Sequence, residues 1–275
     1  MIILLAVESH GPPMKTTIPT MMPGAEPFFL PGGPVGCLCL HGITASPDEM
    51  RWFGEHLNGQ GVTVYGPRIA GHGAHYTHLR TTRWQDWYLS ALDGYHLLRQ
   101  QCERVVVAGL SMGGLLSLLI AANEDVDRVI VMASPLKLTS ERLIRMAPVI
   151  KLMRPFIHLP DRTDFPKRLQ VERQARGETL DGRVRYTTWA TQALQELYTL
   201  VGTVKTHLPQ VTAPALLMYS TQDETVSYGN MALVQQGLGS THIETETFTR
   251  SGHILTQDYD HKAVFDRAAR FILAE

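Results

Sequence analysis

Short apolar runs separated by stretches of helical periodicity restrict the fold of this 275-residue chain more than any other feature. Val35 to Leu40, Val62 to Tyr65, Val105 to Ala108, Val129 to Met132 and Ala215 to Tyr219 are almost wholly apolar. Between and after them, the spacing predicts helices over 48–60, 84–101, 112–123, 230–236 and 262–273, with a last strand at 243–248. A strand with one wet face alternates apolar and polar residues, whereas a strand covered on both faces has no polar side to show. The unbroken runs therefore predict an α/β class with a mostly parallel central sheet flanked by helices. The alternation lapses from Pro135 to about Leu208, where helical patterns but no strand-like run occur, so an insertion between two late strands is expected there. Pro12, Pro13, Pro19, Pro23 and Pro27 suit an irregular N-terminal arm, and regular structure is expected from near Phe28.

Composition narrows the function classes. At roughly 100–200 residues per domain the chain holds one large domain or two small ones. Twenty-five basic residues against 26 acidic ones leave a net charge of -1, which supplies no field for phosphate backbones, so nucleic acid is not an expected partner. No apolar stretch reaches the ~18 residues that a bilayer requires. The run Ile2 to Val7 has no basic region before it and is shorter than a secretory core, so it is not read as a signal peptide. Cys37, Cys39 and Cys102 are odd in number, and two of them sit two apart on one strand, which points to reduced thiols and a cytoplasmic location.

The chemistry centres on Gly109-Leu110-Ser111-Met112-Gly113-Gly114, which directly follows a buried strand and opens a helix. That is the context of a nucleophile elbow: a strained turn lifts the serine hydroxyl above the sheet, and small neighbours let the backbone double back. A serine hydroxyl needs a base, and the base needs a carboxylate to orient it. His253, in Ser251-Gly252-His253-Ile254 just past the last strand, is the candidate base. His207, His242 and His261 read as surface residues and His41 as a hydrogen-bonded loop histidine. Asp223, the first carboxylate after the strand ending at Tyr219, is the candidate acid, with Glu224 a solvated neighbour. The chain order serine, acid, histidine is that of α/β-hydrolases. Two backbone N–H groups should meet the oxyanion: Met112 at the helix start, and Ile43 in His41-Gly42-Ile43-Thr44, where Gly42 permits close approach to substrate.

His72, His75 and His78 raise the question of a metal, but three ligands from one short loop without a carboxylate make a poor site, and neither metal nor cofactor is expected. In the insertion, Leu143, Met146, Ile150 and Met153 recur at helical spacing, broken by Pro148 and Pro155. They read either as the packed core of a lid or as the wall of an acyl pocket that touches a lipid surface.

Taken together, Leu40-His41-Gly42-Ile43, Arg68-Ile69-Ala70-Gly71-His72-Gly73, the Ser111 elbow, Gln222-Asp223 and Ser251-Gly252-His253 resemble the bacterial monoacylglycerol lipase and carboxylesterase family. Gly24-Ala25-Glu26-Pro27-Phe28 and Asp86-Trp87 are similar to it as well. The resemblance implies an α/β-hydrolase fold in which residues 1–134 and 209–275 form the core, 1–23 being an irregular arm, and residues 135–208 form a helical cap. It implies Ser111 as nucleophile, Asp223 and His253 as its partners, and Ile43 and Met112 as oxyanion donors. The chain departs from the family at Ile43, where Phe is common, and before Tyr186, where Arg183 and Arg185 stand in place of a carboxylate for a diol. The expected activity is hydrolysis of carboxylic esters with apolar acyl chains, monoacylglycerols foremost, through an acyl-Ser111 intermediate. A carboxylesterase without glycerol selectivity is the alternative, followed by thioesterase or peptidase, and last a non-catalytic binder of apolar ligands.

Overall fold

The apolar runs lie side by side in the computed structural model, which describes residues 18–138, 154–158, 165–180 and 182–274. In chain order the strands are β1 (Phe28–Leu30), β2 (Val35–Leu40), β3 (Thr63–Gly66), β4 (Arg104–Leu110), β5 (Arg128–Met132), β6 (Phe156–His158), β7 (Thr188–Ala190), β8 (Ala215–Ser220) and β9 (Ile243–Phe248). The helices are α1 (Asp48–Gly59), α2 (Trp84–Arg99), α3 (Met112–Asn123), α4 (Phe165–Ala175), α5 (Thr191–His207), α6 (Asn230–Gly237) and α7 (His261–Leu273). Seven strands form one sheet in the order β1-β3-β2-β4-β5-β8-β9. Only β1 runs antiparallel, against β3; the other neighbours are parallel, so this is the α/β-hydrolase arrangement.

Alternate residues of each buried strand feed two separate cores. Leu38, Leu40, Val105, Val107, Val129, Val131 and Leu217 face α2, α3 and α5. Cys37, Cys39, Val106, Ala108, Ile130, Met132, Leu216 and Met218 face α1 and α7. Both sets are apolar because both faces are covered, which is why the runs show no alternation. The helices differ for the same reason. α7 buries Val264, Phe265, Ala268, Phe271 and Ile272 and exposes Lys262, Asp266 and Arg270, whereas α3 is apolar on every side and lies buried along most of its length.

Between β5 and β8, which are sheet neighbours, the chain leaves the sheet. Its described residues hold α4, α5 and a two-stranded antiparallel ladder of β6 and β7, pairing Phe156 with Ala190 and His158 with Thr188. Those two strands correct the reading of the stretch as free of strands. Three residues span too short a length for a period of two to register. α5 packs Leu197, Leu200, Val201 and Val204 against the α3 side of the core. α4 is tied down by Arg173, 0% exposed, whose guanidinium bonds Asp48 of α1, Glu178 and the Gly182 carbonyl, and lies against the Trp52 ring. Among the described residues no helix is long and apolar enough to cross a membrane.

Candidate active site

Three non-glycine residues among those described have positive φ: Thr44, Ser111 and Ala133. They follow β2, β4 and β5, three adjacent parallel strands, so the strain gathers at one edge of the sheet, where open α/β sheets bind their ligands. Ser111, at φ 56° and ψ -116°, is the single residue between β4 and α3. Its N–H donates to the Met132 carbonyl at 2.8 Å, and its own carbonyl accepts the Ser134 hydroxyl at 2.9 Å. The flanking glycines have no room to be anything else: a Cβ on Gly109 would stand 2.1 Å from the Gly113 carbonyl carbon, and one on Gly113 would stand 2.0 Å from the Leu40 carbonyl oxygen. Met112 opens α3, so its N–H has no intrahelical acceptor and points with the positive end of the helix dipole toward the turn.

β8 and β9 bring Asp223 and His253 together. His253 Nδ1 donates to Asp223 Oδ2 at 2.7 Å, and the Asp223 side chain is only 1% exposed. Its other oxygen accepts the N–H groups of Thr225 and Val226, both at 2.8 Å, which holds the carboxylate in one orientation. The two loops are also joined by the Ser220 hydroxyl, which donates to the Ser251 carbonyl, and by Thr221 N–H to Phe248 O at 3.0 Å. Glu224 is exposed. An aspartate that fixes Nδ1–H leaves Nε2 of the ring as the free proton acceptor.

The loop after β2 lies against this turn. A Cβ on Gly42 would stand 3.4 Å from the Ser111 Cβ, so the backbone passes close to the serine. The Gly42 N–H is occupied by Glu49 Oε2 at 2.7 Å, which leaves the next amide, that of Ile43, as the loop's candidate donor. His41 Nε2 accepts the Ile69 N–H at 3.3 Å, so Nδ1 carries the proton and donates to the Gly42 carbonyl at 2.9 Å. Burial holds the His41 imidazole down at a pKa of about 4 and His72, edge-on to it, at about 3. His72 is buried while His75 caps a 3-10 turn at the surface, and among the described residues no three potential ligands gather into a metal site.

Several residues of this region carry no sequence signal. Tyr186 is buried; its N–H donates to Thr44 O at 2.8 Å, and its hydroxyl accepts Ala74 N–H at 2.8 Å and donates to Gly71 O at 3.2 Å. Glu49, read only as part of a helix, is buried behind the Gly42 loop. His261, expected at the surface, is buried and bonds the Asp258 carbonyl, because α7 turns its first residue inward against Trp52. Leu143, Met146, Ile150 and Met153 lie outside the described residues.

Similarity to known proteins extends over nearly the whole chain. The family model described as serine aminopeptidase, S33 matches residues 36–260. A thermostable monoacylglycerol lipase of Bacillus sp. (strain H-257) is 31% identical over 252 residues, covering 91% of this chain and 95% of that protein. A carboxylesterase of Bacillus subtilis (strain 168) is 23% identical over 248 residues, covering 90% of this chain and 96% of that protein. A solved structure from a study of LipS and LipT, two metagenome-derived lipolytic enzymes, superposes with a TM-score of 0.82 at 28% identity, over 93% of this chain and all of that one. The chain therefore belongs to the serine aminopeptidase S33 family and has an α/β-hydrolase fold.

Proposed function

We propose that the protein hydrolyses carboxylic esters with apolar acyl chains, monoacylglycerols being the favoured class, through an acyl-Ser111 intermediate. The observation that carries this reading is the hydrogen bond from His253 to the buried Asp223 carboxylate at the sheet edge that presents the strained Ser111 turn. His253 Nε2 takes the Ser111 hydroxyl proton as the oxygen attacks the ester carbonyl carbon. The Met112 and Ile43 N–H groups receive the oxyanion; elsewhere such donors are worth about 3 kcal/mol each. The tetrahedral intermediate then expels the alcohol, which leaves with the proton from His253, and water activated by the same nitrogen releases the acid. Asp223, unable to donate, keeps the imidazole in the tautomer that this cycle needs.

Residues 135–208 are taken as the cap on the strength of their position between β5 and β8. The monoacylglycerol lipase relative supports glycerol esters as substrates. A carboxylesterase without glycerol selectivity is the second reading, supported by the other relative and by Arg183, which is engaged by Glu49 at 3.1 Å. Three buried free thiols, Cys37, Cys39 and Cys102, support a reducing compartment, and we place the protein in the cytoplasm.

Initial rates on 1-lauroylglycerol and methyl laurate, with Ser111→Ala as blank, test the proposal. The variant is expected to lose turnover by about 10⁴-fold or more with its fold intact. Retained turnover overturns the mechanism. A glycerol-to-methyl rate ratio well above ten means more than ~1.4 kcal/mol of differential transition-state binding to the glycerol and supports the first reading. Comparable rates support the second.

A further inference from the structure

Two buried carboxylates that take no part in the proton transfers are each shared in the same way. Glu49 is 5% exposed; its Oε2 accepts the Gly42 N–H at 2.7 Å, and its Oε1 meets the Arg183 guanidinium at 3.1 Å. The Asp258 side chain is 4% exposed; its Oδ2 accepts the Gly252 N–H at 2.8 Å, and its Oδ1 accepts from Arg168 at 2.8 Å. Gly42 is the residue before Ile43, and Gly252 is the residue before His253. So in each case one oxygen fixes the peptide that leads into a candidate active-site group. The other oxygen holds an arginine from the segment between β5 and β8.

We propose that Glu49 and Asp258 are positioning residues through which Arg183 and Arg168 hold the Ile43 loop and the His253 loop in reacting geometry, so that seating of the inserted segment and turnover are coupled. This rests on the serine-hydrolase reading of the site. Hydrogen bonds to charged groups outlast those to neutral ones, and a carboxylate gripped from both sides leaves its amide partner little freedom. The charge balance has a second consequence. A Cβ on Gly42 would stand 3.1 Å from Glu49 Oε2 and 3.4 Å from the Ser111 Cβ, so the carboxylate lies close behind the place where the oxyanion forms. An anion there opposes a second negative charge, and Arg183 offsets it. Removing Arg183 leaves the anion uncompensated, whereas Glu49→Gln keeps a carbonyl acceptor for the Gly42 N–H and removes the charge.

That asymmetry separates positioning from simple stabilisation. Using the full chain, kcat and KM on p-nitrophenyl butyrate are measured per active site titrated with a fluorophosphonate, alongside Tm. Arg183→Met is expected to lower kcat about tenfold or more with KM within about twofold, and the Arg183→Met/Glu49→Gln pair to recover to within about threefold of the parent. Arg168→Met, tested with Asp258→Asn, gives the same readout on the other loop and stands in should Arg183→Met not fold. A fall in Tm with kcat per titrated site unchanged overturns the proposal, as do losses that simply add in the double variants. Turnover retained in Ser111→Ala is a different result: it removes the reading of the site on which the proposal rests.

Discussion

The sheet and the segment inserted between β5 and β8 are held by opposite kinds of force. Leu38, Val107, Ile130 and Leu217 are all 0% exposed, and the sheet places each against a helix through apolar contact alone. The inserted segment has apolar contacts through α5 and through Phe165 and Leu169 of α4, but it is also fastened at α4 and beyond by Arg168, Arg173 and Arg183, each on a carboxylate of the sheet domain. Apolar burial is undirected and tolerates small shifts, at roughly 25 cal/mol per Å². A buried ion pair is directional: it contributes little net stability when intact but costs several kcal/mol when one partner is removed. The sheet is thus built for stability, and the fastening of the segment for register.

The largest effect that would sharpen this contrast lies at the elbow. Gly113→Ala drives a methyl group to 2.0 Å from the Leu40 carbonyl oxygen, backbone against backbone, and is expected to cost ~4 kcal/mol or more. Urea unfolding checks it, and a cost below ~1 kcal/mol would show that the turn can relax. Arg173→Met is expected to cost about 3 kcal/mol, because Asp48 is left buried without its charged partner, with only the Gln257 amide still donating to it. Hydrogen exchange should show the loss centred on α4 and the first turn of α1, with β4 and β5 protected as before; uniform loss would erase the distinction between the two regions.

Acid comes next. His41 and His72 have folded pKa values of about 4 and about 3, below the ordinary 6.5 that the unfolded chain retains. Below pH 6.5 the unfolded state therefore binds protons that the folded state refuses, so stability falls with pH until those lower values are reached. The slope is ~1.4 kcal/mol per pH unit for each histidine. Thermal melts of wild type and His72→Gln between pH 7 and 4.5 test this, the variant losing less stability on acidification. The smallest effect is a gain: Ser111→Gly relieves the positive φ and is expected to add ~1 kcal/mol while abolishing turnover. No gain would mean that the turn stores little strain.

Much of the sheet half was legible in the residues. The runs at 35–40, 105–108, 129–132 and 215–219 predicted buried strands, and β2, β4, β5 and β8 cover them. Ser111, Asp223 and His253 were legible as candidates because each lies in the turn-forming stretch that follows an apolar run, where motif and context agree. β6 and β7 were not, since three residues carry no period. Nor were Glu49 and Asp258, since a charged residue in the first turn of a helix or in a loop looks solvated until its surroundings are known, nor Tyr186, whose partners Thr44, Gly71 and Ala74 lie more than a hundred positions away.

The sequence alone determined the parallel α/β class and the buried strands of the sheet's interior, and it marked a serine, an acid and a histidine as candidates, because periodicity and turn composition are local properties. Only the tertiary structure decided which amide is free in the Gly42 loop, which carboxylates are buried, and which arginines reach them. The arginine contacts join residues far apart in the chain, Glu49 with Arg183 and Asp258 with Arg168, and no local pattern encodes a partner that the chain meets only after folding.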